Sequence, residues 1–474
     1  MGHMSGEARF QATLFPVMLD ELVAADAMVR VIDAWVETLD MSALGFSKAR
    51  AQIVGRPPYD PADLLKLYLC GYLSAVRSSR ALERECHRNV ECMWLLGRLA
   101  PDHKTIAEFR RSNSQALVAA CSAFVEFARR EQLITGTTLA IDGSKIRAVA
   151  SRKAICEAQA LERERDELAR EVHRYLEQLR ENDARDDTLV PIQGDVRQSI
   201  KRLRQRQAEI AQELERLAQS RSTMAVRTEP EARVMKSLHG APGYNLQTAV
   251  DTDSHMIVHH ALGNDASDLR QLAPMAQASA RVMGAKPVVV ADAGYANGEQ
   301  LHTLSSVGIT AYVAPCRAVN NQGNGTLYDK SAFAYDRAQD TYTCPAGQRL
   351  RRKCVLKHKK LVTYAGTPAV CGVCAQRQQC TRCTQRFISR HLYEDALQAC
   401  AERVIARPEM MKLRRQTVEH PFATIKHQIL GNARLLVRGL RAAAGEMSLA
   451  VLAYNLKRAL SIKGALWLRQ ALQG

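Results

Sequence analysis

The chain contains no run of about 18 uncharged apolar residues, so no segment is expected to span a membrane. Its first residues, Met1-Gly-His-Met4, lack the basic stretch followed by an apolar one that marks a leader peptide, and a cytoplasmic location is expected. Aromatic residues are scarce, 5 % against 46 % apolar residues in all, so the core must be mainly aliphatic. Acidic residues also fall short: 49 Asp and Glu face 66 Lys and Arg, a formal charge of +17 that favours a polyanionic partner. The 474 residues leave room for two to four domains and a core that needs no covalent staples. Thirteen cysteines without a leader argue for reduced thiols and metal ligation rather than disulfides. Cys70, Cys86, Cys92, Cys121 and Cys156 lie among helix formers and read as small buried hydrophobes.

Residues 10–132 carry apolar side chains at helical spacing throughout. Helix starts are expected near Pro61, at Ser78-Ser79-Arg80 and near Asp102, with Thr105 and Glu108 at capping-box spacing. Such short basic helices suit helix-turn-helix DNA binding. At Thr137-Thr-Leu-Ala-Ile-Asp142-Gly the composition turns β-prone. Two charged helices with heptad seams follow, one on Leu168, Val172, Tyr175 and Leu179 and one on Ile200, Leu203, Ile210, Leu214 and Leu217. They are expected to form an antiparallel hairpin turning at residues 186–194. Strands resume at residues 244–250 and 255–262, then a helix at 268–282, a buried strand at 287–292, a helix at 297–305 and a strand at 309–313. That order suits an α/β core with a mixed sheet.

Asp142 and Asp292 are each expected at the end of an apolar strand, followed within two residues by glycine. Carboxylates at strand ends face the usual ligand side of an α/β sheet, and two close together repel unless a cation such as Mg²⁺ neutralises them. A third acid, Glu419, lies in a basic helix, four residues after Arg415 and seven before Lys426; those offsets place the three on one helix face. An acid between cations suits a metal ligand whose neighbours bind phosphates. Pro421 should kink the helix beside Glu419. Beyond it the chain reads as helical to about residue 472, with Leu449, Leu452, Leu456 and Leu460 along one stripe. Lys145 and Arg147, past the first strand, are further phosphate candidates, and Tyr295 a candidate for base stacking. A last cluster reads Cys344-Pro-Ala-Gly, Cys371-Gly-Val-Cys374 and Cys380-Thr-Arg-Cys383. Two Cys-x2-Cys pairs are a zinc signal. Five cysteines compete for four places, and spacing alone favours the two pairs. The histidines show no metal-ligand pattern.

Asp142-Gly-Ser, Asp292-Ala-Gly-Tyr and Arg415-x3-Glu419-x6-Lys426 resemble the acidic motifs of bacterial insertion-sequence DDE transposases of the Tyr-Arg-Glu-Lys signature type. Lys412 stands where that signature has Tyr. The front segments Tyr59-Asp-Pro61, Arg77-Ser78-Ser79-Arg80, Pro101-Asp-His-Lys-Thr105 and Phe109-Arg110 resemble the helical N-terminal region of the same family. The resemblance implies a ribonuclease H-like core, two Mg²⁺ or Mn²⁺ ions on Asp142, Asp292 and Glu419, and cleavage and joining of DNA at element ends and target. It also implies a homodimer or larger assembly near the nucleoid, and zinc on Cys344, Cys371, Cys374 and Cys380.

The expected fold is therefore multidomain α+β. Residues 1–135 would form an all-α DNA-binding domain. Residues 136–154 and 223–315 would build the mixed α/β core, split by a helical hairpin at 155–222. A zinc-binding insertion would occupy 316–400, and residues 401–474 a helical end carrying Glu419. The expected activity is transposition; a nuclease of the same fold and a silent DNA-binding regulator are the alternatives.

Overall fold

The computed structural model describes residues 18–50, 57–134, 137–184, 196–220, 223–315 and 327–473. Six helices come first: α1 (Met28–Glu37), α2 (Pro61–Leu73), α3 (Ser79–Arg88), α4 (Val90–Leu95), α5 (His103–Ser112) and α6 (Ser114–Arg130). Their starts follow from short polar caps. Asp60 accepts from the Ala62 amide with Pro61 in the first turn, Ser78 accepts from Ala81, and Asp102 accepts from Lys104 and Thr105. The cap of α5 is thus Asp102, with the Thr105 hydroxyl donating to it at 2.8 Å, and not the expected Thr105–Glu108 box.

The central sheet has six strands. β1 (Thr138–Arg147) is antiparallel to β5 (Ala241–Asp251), whose other edge carries β4 (Arg233–Met235) and β6 (Ile257–Gly263). On its far side β1 is parallel to β7 (Val288–Ala291), which is parallel to β8 (Ala311–Val313). This is the mixed sheet expected. One detail differs: β1 does not end at Asp142 but runs five residues further, because β5 pairs with it as far as Arg147 opposite Gly243. Only the β7 side stops earlier, at Ala140, so Asp142 lies just beyond the parallel pairing. The helices α9 (Leu272–Met283) and α10 (Gly298–Ser306) belong to this unit.

The hairpin leaves from β2 (Ile155–Glu157), runs out along α7 (Ala158–Ala184), returns along α8 (Val196–Ser220) and re-enters at β3 (Met224–Val226), which pairs with β2. Its base packs Leu161, Ile210, Leu217 and Ala225, and Arg206 bridges to Glu164. The expected turn at residues 186–194 lies outside the described residues.

The cysteine-rich insertion contains a sheet that the sequence did not announce. β9 (Ala334–Asp336), β10 (Thr341–Thr343), β11 (Arg349–Leu356), β12 (Leu361–Ala365) and β13 (Phe387–His391) form an antiparallel meander around Phe333, Tyr342, Leu350, Val362, Tyr364 and Ile388. Two short helices, α11 (Pro368–Gly372) and α12 (Arg377–Cys380), carry cysteines at its edge.

The chain returns through α13 (Glu394–Ala406) to α14 (Glu409–Ala423), which continues past Pro421 and then widens into a π-turn over Thr424–Ile429. The widening is the form taken by the expected kink. Helix does not run on unbroken from there. Gly431, Ala433 and Gly439 have positive φ, and α15 (Leu440–Lys463) and α16 (Ala465–Gln473) follow. Nor is the α15 leucine pattern a stripe, since Gly445 to Leu456 is buried on every side. α15 packs against α6 so closely that a β-carbon on Gly445 would sit 2.7 Å from the Ser114 Cα. One continuous apolar core runs from Val23 through the sheet to Leu468, so the front helices and the sheet share their interior.

Candidate active site

Alternation along β1 puts Ala140 and Asp142 on one face of the sheet. α14 covers that face, with Met410 and Val418 packed against Ala140 and Val290. Arg414 lies one helical turn from each of those two side chains, so it too points at the sheet, and there it meets both aspartates. Its Nη2 stands 2.9 Å from Asp142 Oδ2 and 3.4 Å from Asp292 Oδ2. The other oxygen of each acid is held by a following amide: Gly143 donates to Asp142 Oδ1 at 2.8 Å, and Gly294 donates to Asp292 Oδ1 at 2.9 Å. The two carboxylates are therefore fixed at one edge and share a cation at the other.

Burial raises the Asp142 carboxyl to about 6, with Asp292 and Asp268 pushing the same way and Arg414 and the Gly143 amide opposing them. Behind Asp142 runs a second polar cluster. Asp268 Oδ1 accepts from Lys145 Nζ at 2.8 Å, Asn245 Nδ2 at 2.8 Å and Gln247 Nε2 at 2.6 Å. Gln247 in turn accepts from the Tyr295 hydroxyl at 2.5 Å. A β-carbon on Gly143 would come within 2.2 Å of Gln247 Nε2 and 2.7 Å of Asp268 Oδ1, so any larger residue there would push this cluster apart.

Of the residues expected in the site, the structure brings together Asp142, Asp292, Lys145 and Lys426. Lys426, on the π-turn, is half-buried; burial holds its ammonium below the ordinary lysine range, while Asp142 acts to raise it and Lys145 to lower it further. Lys145 is not open to a phosphate as placed, since it is paired with Asp268. Arg147, Arg415 and Glu419 are exposed. The expected common face of Arg415, Glu419 and Lys426 is broken by the π-turn, which shifts the helical phase before Lys426. Tyr295 is 1 % exposed and donates to Gln247, so it offers no stacking platform. Sequence reasoning missed Arg414 and Asp268. The first had a signal: Met410, Arg414, Thr417, Val418 and Pro421 repeat at core spacing, with one cation among buried residues.

In the insertion, Cys344, Cys371, Cys374 and Cys380 line one cavity of about 50 Å³; Cys383 does not and is exposed. Burial pushes the Cys380 thiol up, and Cys344, Cys371 and Cys374 act in the same sense against Arg386. The Gln348 amide donates to Cys344 Sγ at 3.3 Å. Among the described residues, no three His, Cys, Asp or Glu side chains are drawn together closely enough to hold a metal as placed, and no helix is long and apolar enough to cross a membrane.

Two family models match the chain. The one described as "Transposase domain (DUF772)" matches residues 17–112, and the one described as "Transposase DDE domain" matches residues 221–456. Together they cover more than half of the chain, and it belongs to the DDE transposases, enzymes that act on DNA. Asp292 and Glu419 fall within the second match, and Asp142 lies between the two. No curated protein matches the chain.

Proposed function

We propose that this transposase binds the ends of a mobile element and cuts and joins DNA at a site built on Asp142, Asp292 and Glu419. The observation that carries the reading is the pair of aspartates, one within β1 and one just past the end of the adjoining β7, each pinned by a backbone amide and each presenting Oδ2 to one cation beneath α14. The strand arrangement, three antiparallel strands followed by two parallel to β1, supports a ribonuclease H-like core. The donor set fits divalent metal: two carboxylates of one mixed sheet already converge on a positive charge, and hard oxygen ligands suit Mg²⁺ or Mn²⁺. Bound there, such ions would stabilise the attacking and leaving oxygens of an in-line phosphoryl displacement.

Asp142 and Asp292 hold that charge from the sheet side, and Glu419 supplies the third carboxylate from α14. Glu419 is five residues beyond Arg414, about 140° around the helix, so it would reach the aspartates only when α14 rotates about its own axis. Lys426 interacts with Asp142 and is proposed to contact a phosphate there; Arg415 and Arg147 add exposed positive charge. The overall excess of +17 supports binding of double-stranded DNA, with the front helices as the principal contact. Cys344, Cys371, Cys374 and Cys380 are proposed to hold a structural zinc ion in the insertion. Bringing two DNA ends together calls for a dimer or larger assembly.

The test is incubation with element-end DNA and Mg²⁺. Asp142→Asn, Asp292→Asn and Glu419→Gln are each expected to abolish nicking and joining while the DNA still shifts in a gel. A variant that retains substantial cleavage removes that residue from the site. Nicks without joined products from the unaltered protein indicate a nuclease.

A further inference from the structure

We infer that Arg414 is a built-in counter-cation of the site, occupying the gap between Asp142 and Asp292 that a divalent ion must enter, so that metal binds only by displacing it. The inference rests on the reading that these two aspartates hold metal.

Several features set this contact apart from an ordinary ion pair. Both contacts come from the single nitrogen Nη2, at 2.9 Å and 3.4 Å, so the guanidinium does not make the two-pronged contact with one carboxylate that gives arginine pairs their strength. Its Nε is buried without a hydrogen-bond partner, which costs energy. Such an under-satisfied arginine is held by charge more than by fit, and fit is what would make it hard to remove.

The surroundings explain why a cation is needed. Of the nearby cations, Arg414 contacts Asp142 and Asp292, Lys145 pairs with Asp268, and Lys426 interacts with Asp142. Lys145 is committed to Asp268 at 2.8 Å, so it cannot serve the other two acids at the same time. Asp142 keeps 18 % of its side-chain surface and Arg414 16 %, so solvent screens the Asp142 charge poorly, while Asp292, at 45 %, stays open to the side from which an ion would enter. Without Arg414 the pair would repel. Counter-charge of its own stabilises the metal-free protein and opposes metal entry by the same amount, since anything that binds one form must be displaced from it.

The experiment measures Mn²⁺ binding by calorimetry to the unaltered protein and to Arg414→Gln, Arg414→Lys, Asp142→Asn and Asp292→Asn, with melting temperatures taken with and without the ion. Arg414→Gln is expected to bind Mn²⁺ at least tenfold more tightly, to melt lower without metal, and to gain more on adding it. Arg414→Lys, which keeps the charge without the planar group, should fall between and covers the case in which the glutamine variant does not fold. Equal or weaker Mn²⁺ binding in the variant that folds overturns the inference. Undiminished binding in both aspartate variants is a separate result: it removes the metal site itself, and the inference with it.

Discussion

The behaviour of the site with pH is set by one residue. Asp142 must be ionised to hold a cation, yet burial and the neighbouring acids lift its carboxyl from the usual 3.8 to about 6. The folded chain therefore binds a proton between those values that the unfolded chain does not. The metal-free fold should lose stability as pH rises through that window, while metal binding and cleavage should be lost as pH falls through about 6. A pH series of Mn²⁺ affinity checks this; a flat response between pH 5 and 7 would contradict it. Asp142 and Asp292 each read as weakly in the sequence as any acid and glycine at a strand end, where a turn is the commoner meaning, and they were picked out only through the third acid, Glu419, set between Arg415 and Lys426. Asp268 was not: its three donors lie on β1 and β5, up to 123 residues away, and only the register of those strands assembles them. Arg414 was hidden differently, since the eye counts from Glu419 and that count gives Arg415.

At the scale of elements, helices and central strands could be read to within a few residues, because the helices repeat at helical spacing and strands such as β7 are short continuous apolar runs. The insertion could not. β11 reads Arg-Leu-Arg-Arg-Lys-Cys-Val-Leu, with four basic residues in its first five and only Leu350 fully buried, so no two-residue pattern shows. What the sequence did offer there was cysteine spacing. If the cavity between α11, α12 and the Cys344 turn takes zinc, elemental analysis should find about one ion per chain. Cys371→Ser and Cys380→Ser should lose it and Cys383→Ser should keep it. Loss of zinc in the Cys383 variant would favour the two-pair set instead. The close crossing of α15 and α6 is a second element-scale test. Gly445→Ala improves helix propensity but forces a methyl against Ser114, and should cost about 1–3 kcal/mol in a denaturant titration.

For the whole molecule, the joint between the front helices and the rest is more than apolar. Glu446 on α15 is fully buried, accepts from the Leu436 and Val437 amides, and pairs with Arg77, which also donates to the Arg434 carbonyl at 3.1 Å. Arg77 belongs to the front motif that carried the resemblance, and here it is a structural bolt between three parts of the chain. Glu446→Gln leaves that arginine buried without its counter-charge and should lower stability by about 3–5 kcal/mol, read as a fall in melting temperature. An unchanged melting curve would show that the joint is held by apolar packing alone.

β1 has a consequence for how the protein comes into being. Its neighbours are β5, about a hundred residues later and beyond the hairpin, and β7, later still, while the helix that covers Asp142 comes from the last quarter of the chain. Contacts so distant in sequence form late, and during synthesis they wait for the ribosome to release the C-terminal helices. A chain that has not yet reached α14 carries both aspartates but no helix over them, so the proposed site is expected to be incomplete, and the cutting proposed for it silent, until that helix has been made.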